Sequence, residues 1–149
     1  MKGKVIAVLA CAVIVSGCAT LGTRYAERNV EKAIALINSG DADALGRYSS
    51  DEFIFGREIL LRSSDIEAVW NHLVENGFAL INPVVAGTYE SDDTTFAVFS
   101  ESEEMEIFFK KYIPPGSTVG KIETSDGTFY VLLGRGIEGY PAILGITGF

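Results

Sequence analysis

The chain has 149 residues, 48% of them hydrophobic and 11% aromatic, which supplies one well-filled core and excludes an extended disordered stalk or two comfortable domains. Its 20 acidic residues against 12 basic ones give a net charge of −8, which repels phosphate backbones and anionic headgroups alike and argues against nucleic acid as a partner.

At the start of the chain, Lys2 and Lys4 lead into an apolar run from Val5 to Val15, followed by Ser16-Gly17-Cys18. The run matches the core of a signal peptide and falls well short of the ~20 residues that a membrane-spanning helix needs. Val15-Ser16-Gly17-Cys18 resembles the lipobox of bacterial lipoproteins. The resemblance implies that residues 1–17 are removed as a signal peptide and that Cys18 carries a diacylglyceryl group on its sulfur. Residues 18–23 then form the lipidated terminus and a short tether, and 24–149 form a single domain. Ala19 stands where the family's inner-membrane retention signal has Asp, which implies the outer membrane, facing the periplasm. One acyl chain binds a bilayer only marginally, whereas several hold a domain stably.

Losing Lys2 and Lys4 leaves 10 of the 12 basic residues against all 20 acidic ones, a side-chain charge of −10. Cys11 leaves with the leader and lipidation consumes Cys18, so no disulfide or free thiol is expected in the exported domain. Residues 19 to 23, if extended, reach only about 17 Å, so the domain is expected to sit close to its membrane.

From Thr23 to Asn38, Ala26, Val30, Ala33, Ile34 and Ile37 draw one apolar stripe on a helix that ends at Gly40. Asp41 and Asp43 can cap a second, short helix carrying Leu45 and Tyr48. Residues 52–55 and 59–62 read as two short strands around Gly56-Arg57-Glu58. Ser64 and Glu67 have the spacing of a capping box, and Ile66, Val69, Trp70, Leu73 and Val74 follow at helical spacing up to Gly77.

Phe78 to Glu90 reads as a long strand interrupted near Pro83, where the missing amide favours a bulge or an edge. Thr94 to Phe99 is expected as another strand. Ser100 and Glu103 can cap a helix with Met105, Phe108, Phe109, Tyr112 and Ile113 on its apolar side. Glutamates stand at the start of that helix and Lys110-Lys111 at its end, as the helix dipole prefers, before Pro114-Pro115. Thr118–Thr124 and Thr128–Leu133 flank Ser125-Asp126-Gly127, a strong hairpin signal, and Ala142–Thr147 is expected as an edge strand.

This order predicts an α+β domain with helices packed on a curved antiparallel sheet. Ser39-Gly40-Asp41 with Leu45 downstream, Phe53-Ile54-Phe55-Gly56 and the helix containing Trp70 resemble the cone fold of the nuclear-transport-factor-2-like superfamily over residues 24 to 99. The helix from about Ser102 to Ile113 departs from that pattern as an extra element. The resemblance implies a sheet curled around a pocket, in a superfamily of isomerases, dehydratases, cyclases and plain binding domains; fold alone does not choose among them.

Chemistry is narrowed by elimination. His72, the single histidine, stands among Glu67, Asn71, Glu75 and Asn76 on the polar side of its helix, as a solvated residue would. With no thiol and no base for a serine, triad-type hydrolysis is disfavoured. A desolvated carboxylate can act alone, which makes Glu52, Glu58 and Glu90 candidates, with solvated charge as their simpler reading.

Asp41-Ala42-Asp43-Ala44-Leu45-Gly46 imitates the start of a calcium loop but puts Leu45 at a ligand position. The acidic run Glu101, Glu103, Glu104 and Glu106 reads as a solvated helix start, and no zinc pattern exists. Gly134-Arg135-Gly136-Ile137-Glu138-Gly139 matches the spacing of a dinucleotide fingerprint, yet Tyr140-Pro141 cannot readily open the required helix; a turn between antiparallel strands is the sounder reading. Phe53, Phe55, Trp70, Phe78, Phe96, Phe99, Phe129 and Tyr130 are expected in the core, although neighbours such as Phe129 and Tyr130 must point to opposite faces of a strand, leaving one for an interface.

No catalytic residue, metal or cofactor is assigned, and Cys18 is the one site residue. The expected function is that of an envelope lipoprotein whose domain binds a protein partner or an apolar ligand near the membrane. The rival is a small cone-fold enzyme, isomerase or hydrolase-like, with a carboxylate buried in a pocket beside Tyr48 or a histidine.

Overall fold

The apolar stripe on the first helix fixes how the domain is layered. The computed structural model describes residues 3–149, with side chains from Leu21 onward. Helix α1 (Gly3–Asn38) buries Val30, Ala33, Ile34, Leu36 and Ile37, and α2 (Ala42–Tyr48) adds Leu45. Gly40 takes φ 67°, the left-handed conformation that frees the chain from α1, and the Asp41 carboxylate accepts from the Ala44 amide at 2.9 Å to start α2. Leu21 to Thr23, expected as part of an extended tether, are helical and continue into α1.

Strands β1 (Ser49–Phe55) and β2 (Glu58–Leu60) form an antiparallel pair around Gly56-Arg57. Helix α3 (Ser63–Glu75) follows, burying Ile66 and Trp70. After β3 (Val84–Glu90), a short 3-10 turn (Thr95–Val98) and α4 (Glu103–Tyr112), the chain closes with β4 (Thr118–Thr124), β5 (Gly127–Ile137) and β6 (Tyr140–Thr147).

The six strands make one sheet in the order β2-β1-β6-β5-β4-β3. All neighbours are antiparallel except β1 and β6, which run parallel, so the sheet is mixed and not the antiparallel one expected. The segment expected as an edge, β6, lies inside the sheet between β1 and β5. Its composition explains this: Ile143, Leu144 and Ile146 are all buried, as a strand covered on both faces requires.

Both faces are indeed covered. On one, α1, α2 and α3 bring Val30, Ile34, Ile37, Leu45 and Trp70 against Phe53, Ile122, Phe129, Val131 and Ile143. On the other, Met105, Phe108 and Phe109 of α4, with Phe99, cover Ile54, Val119, Leu132 and Leu144. Strand alternation therefore serves two cores. Phe129 enters the first and Tyr130 packs on the second, so the aromatic expected to be spare for an interface already has neighbours.

Three local expectations fail for identifiable reasons. Thr94–Phe99 is not a strand, because the Asp92 carboxylate accepts from the Thr94 amide at 2.9 Å and the Thr94 hydroxyl at 2.7 Å, while the Asp92 amide donates to the Thr95 hydroxyl at 2.8 Å. These bonds wind the chain into a turn that delivers Phe96, Val98 and Phe99 together to the second core. The long strand from Phe78 begins only at Val84. Upstream, the Asn38 side chain takes both the Leu80 amide (2.8 Å) and its carbonyl (3.0 Å), and the Ser125 amide takes the Ile81 carbonyl. The strand after Pro83 is nevertheless an edge, with a register shift between Val85 and Gly87.

Finally, Ser64 forms no capping box, since α3 starts at Ser63 with Arg62 in the cap position and no side-chain bond. At α4 the cap is Ser102, whose hydroxyl accepts from the Met105 amide at 3.2 Å, while Ser100 supports the turn before it.

The hydrogen bonds from Thr94 and Thr95 hold the Asp92 carboxyl below the usual carboxylate range. A depressed folded-state pKa gives stability that is present above the ordinary value and lost as pH falls through the lowered one. Asp92→Asn is expected to flatten the acid limb of the stability curve below about pH 4, read as urea midpoints against pH. Identical acid limbs for the two proteins would contradict this role of Asp92.

Candidate functional site

The candidate carboxylates are not brought together. Glu58 and Glu90 are exposed and Glu52 is half-buried, at separate places on the sheet. The Tyr48 hydroxyl faces Glu138 at 3.5 Å, and its ring packs on Tyr140 with centroids 4.8 Å apart. Among the described residues the buried polar or charged residues are Thr95 and Ser117, neither of them a titratable acid.

His72 is exposed on α3, with the Asn76 amide 3.3 Å from its Nδ1. Asp41 caps α2, and Glu101, Glu103 and Glu104 are exposed around the start of α4, where Glu106 pairs with Lys110 at 2.7 Å. No group of three metal-ligating side chains converges among the described residues.

The glycine-rich segment forms the β5–β6 hairpin. Ile137 pairs with Tyr140 across Glu138-Gly139, whose φ angles of 53° and 84° suit a tight turn between twisted strands. A Cβ at Gly136 would overlap the Tyr140 carbonyl oxygen, so glycine is required there by the close approach of backbone. A strand follows the segment, where a dinucleotide fingerprint needs a helix.

Those glycines also leave room for a cleft of about 480 Å³. Tyr25, Asn29 and Lys32, spaced i, i+4, i+7 on α1, form one wall. The Pro114–Thr118 connection after α4 forms a second, and Arg135, Gly136 and Tyr140 of the hairpin a third. Buried Leu133 and Ser117 stand at its floor, with the Ser117 hydroxyl donating to the Pro114 carbonyl at 2.7 Å.

The Lys32 ammonium donates to the Gly139 carbonyl at 2.6 Å, which ties α1 to the hairpin across the cleft. The elements that build this site were each readable, but their meeting was not. The stripe Tyr25-Asn29-Lys32 is the one local signal, a polar and aromatic row beside the apolar one on α1.

Cys18 and the leader lie outside the residues whose side chains are described. Among the described residues no helix is long and apolar enough to cross a membrane.

No protein-family model matches the chain, and no curated protein matches it. Two solved structures are similar. A DUF4783 family protein from Bacteroides ovatus ATCC 8483 is 15% identical with a TM-score of 0.35, the match covering 76% of this chain and 87% of that one. A DUF4783 family protein from Bacteroides fragilis YCH46 is 13% identical with a TM-score of 0.37, covering 77% and 91%. Likenesses this distant carry no conclusion about function.

Proposed function

We propose that this chain is a lipid-anchored protein of the bacterial envelope, acylated at Cys18 and held at the outer membrane facing the periplasm, whose domain is a non-catalytic binding module. The observation that carries the second half is the filled interior. Trp70, Phe53, Ile37, Leu45 and Ile143 occupy the space between helices and sheet with at most 1% exposure, where an enzyme of the cone type would place substrate. The absence of a buried acid among the described residues also favours binding over carboxylate catalysis. The lipobox-like Val15-Ser16-Gly17-Cys18 supports the anchor.

We read the fold itself as a nuclear-transport-factor-2-like cone with an added outer helix. The succession α1-α2-β1-β2-α3 followed by four strands supports this, with α4 covering the sheet face opposite α1–α3. With the interior filled, the partner, a protein segment or an apolar group, is met at the surface.

The anchor is tested by fractionation of cells fed labelled palmitate. Wild type is expected in the membrane fraction and labelled. Cys18→Ala is expected unlabelled and released or mislocalised, with the thermal unfolding of the domain unchanged. A variant that stays membrane-bound without acyl chains would overturn the reading. For the binding role, cross-linking in intact membranes followed by purification is expected to return a stoichiometric envelope partner or a co-purifying apolar molecule. Turnover of a small substrate, abolished by changing Glu52, Glu58 or Glu90, would establish the enzyme instead.

A further inference from the structure

The net charge of −8 conceals a local reversal in the cleft beside α1. None of its lining residues is acidic, in a chain with 20 carboxylate side chains, while two cations, Lys32 and Arg135, stand on its walls. Lys32 uses one donor on the Gly139 carbonyl and keeps two. Arg135 makes no hydrogen bond or ion pair among the described residues, leaving its planar fork of donors unused. The Asn29 amide adds a neutral donor, and the Tyr25 and Tyr140 rings, 70% and 40% exposed, flank the opening.

Position adds a second argument. Tyr25 follows Cys18 by seven residues, about 10 Å along a helix at 1.5 Å per residue. The cleft therefore lies at the end of the domain that the proposed anchor would hold against the bilayer. Exposed tyrosines with adjacent cations are the side chains that settle at the level of lipid headgroups.

We propose that this cleft binds the phosphate of an anionic phospholipid headgroup, between Lys32 and Arg135. The guanidinium and ammonium meet the phosphate oxygens, Asn29 and the tyrosines meet the rest of the headgroup, and the acidic remainder of the domain is repelled from the surface. The protein is thereby oriented, with the β5–β6 hairpin and the Pro114–Thr118 connection toward the bilayer. A headgroup contact is a second signal added to acylation and does not replace it. This inference rests on the proposed anchoring only for its geometry, since the cleft and its two cations stand without it.

The test uses the acylated mature protein as extracted from membranes. It is reconstituted into vesicles of phosphatidylcholine alone or phosphatidylcholine doped with phosphatidylglycerol, and amide hydrogen exchange is followed. The anionic vesicles are expected to slow exchange across residues 116–118 and 134–140 by about 25-fold, the product of roughly fivefold for each of the two cations engaged, and to leave 58–63 unchanged. Lys32→Gln/Arg135→Gln is expected to remove the difference while keeping the protein vesicle-bound.

A third arm adds glycerol phosphate to the neutral vesicles. Slowing in that arm without slowing on phosphatidylglycerol would reassign the cleft to a soluble phosphate compound and overturn the lipid source. Equal exchange on both vesicles, or equal slowing in the double variant, would overturn the site. Failure of the anchor is separable, because an unacylated chain would not float with neutral vesicles. For that chain, exchange at residues 116–118 and 134–140 with a water-soluble short-chain phosphatidylglycerol then decides the cleft directly, slowing supporting the site and unchanged exchange overturning it.

Discussion

Trp70→Ala is expected to destabilise the domain by about 3–5 kcal/mol, enough to leave it largely unfolded if its total stability is ordinary. Trp70 has no exposed surface and meets Phe53 edge-on, with ring centroids 5.8 Å apart. Its indole N–H donates to the Ser49 hydroxyl at 2.9 Å, which donates in turn to the Leu45 carbonyl at 2.7 Å. One side chain thus fills the core between helices and sheet and ties α3 to the α2–β1 junction. Trp70→Phe retains much of the volume but leaves that chain of hydrogen bonds without its donor, and is expected to cost less. Urea unfolding checks both. An alanine variant within about 1 kcal/mol of wild type would show that the residue is not central to packing.

Gly120→Ala has the next largest expected effect, and in the direction opposite to propensity. Glycine inside a strand is unfavourable by roughly 0.5–1 kcal/mol relative to alanine, so substitution alone should stabilise β4. At this position, however, a Cβ would lie 2.5 Å from Val30 Cγ2, 2.9 Å from Val30 Cγ1 and 3.1 Å from Val131 Cγ2. Helix α1 crosses the sheet at that point, and overpacking of such a contact costs about 1–3 kcal/mol. Loss is therefore expected to win.

Val30→Ala makes the needed space, so Val30→Ala/Gly120→Ala should be markedly more stable than the sum of the two single changes predicts. A four-member cycle of urea midpoints measures this coupling. Simple additivity would mean that α1 does not rest on β4 through Val30.

The parts of the fold that were legible are those decided by neighbouring residues. The stripe from Ala26 to Ile37, the spacing from Ile66 to Val74 and the Ser125-Asp126 turn each carry their own period or turn chemistry, and α1, α3 and the β4–β5 hairpin follow them. Thr94–Phe99 has the β-branched and aromatic composition of a strand, but the side chain of the preceding Asp92 competes with strand pairing. Ala142–Thr147 misled in another way. Its unbroken apolar run matches a strand buried on both faces, but the parallel partner, β1, lies more than 90 residues earlier and leaves no mark beside it.

The helix at Glu103–Tyr112 was expected in its place, with its role as a second covering layer revealed only by the sheet face it meets. The cleft is the extreme case. Lys32 and Arg135 stand more than 100 residues apart and share a cleft only because the β5–β6 hairpin folds back to α1, where Lys32 grips Gly139.

On the proposed reading, Cys18 holds this domain to its membrane, close enough for the α1 end of the fold to face the bilayer. The most direct measurement is the mass of the protein extracted from membranes, with fragmentation of its amino-terminal peptide. The proposed anchor requires a chain beginning at Cys18, with a diacylglyceryl thioether on the sulfur and an acyl group on the new amino terminus. A chain retaining residues before Cys18, or beginning elsewhere with Cys18 unmodified or absent, would contradict it.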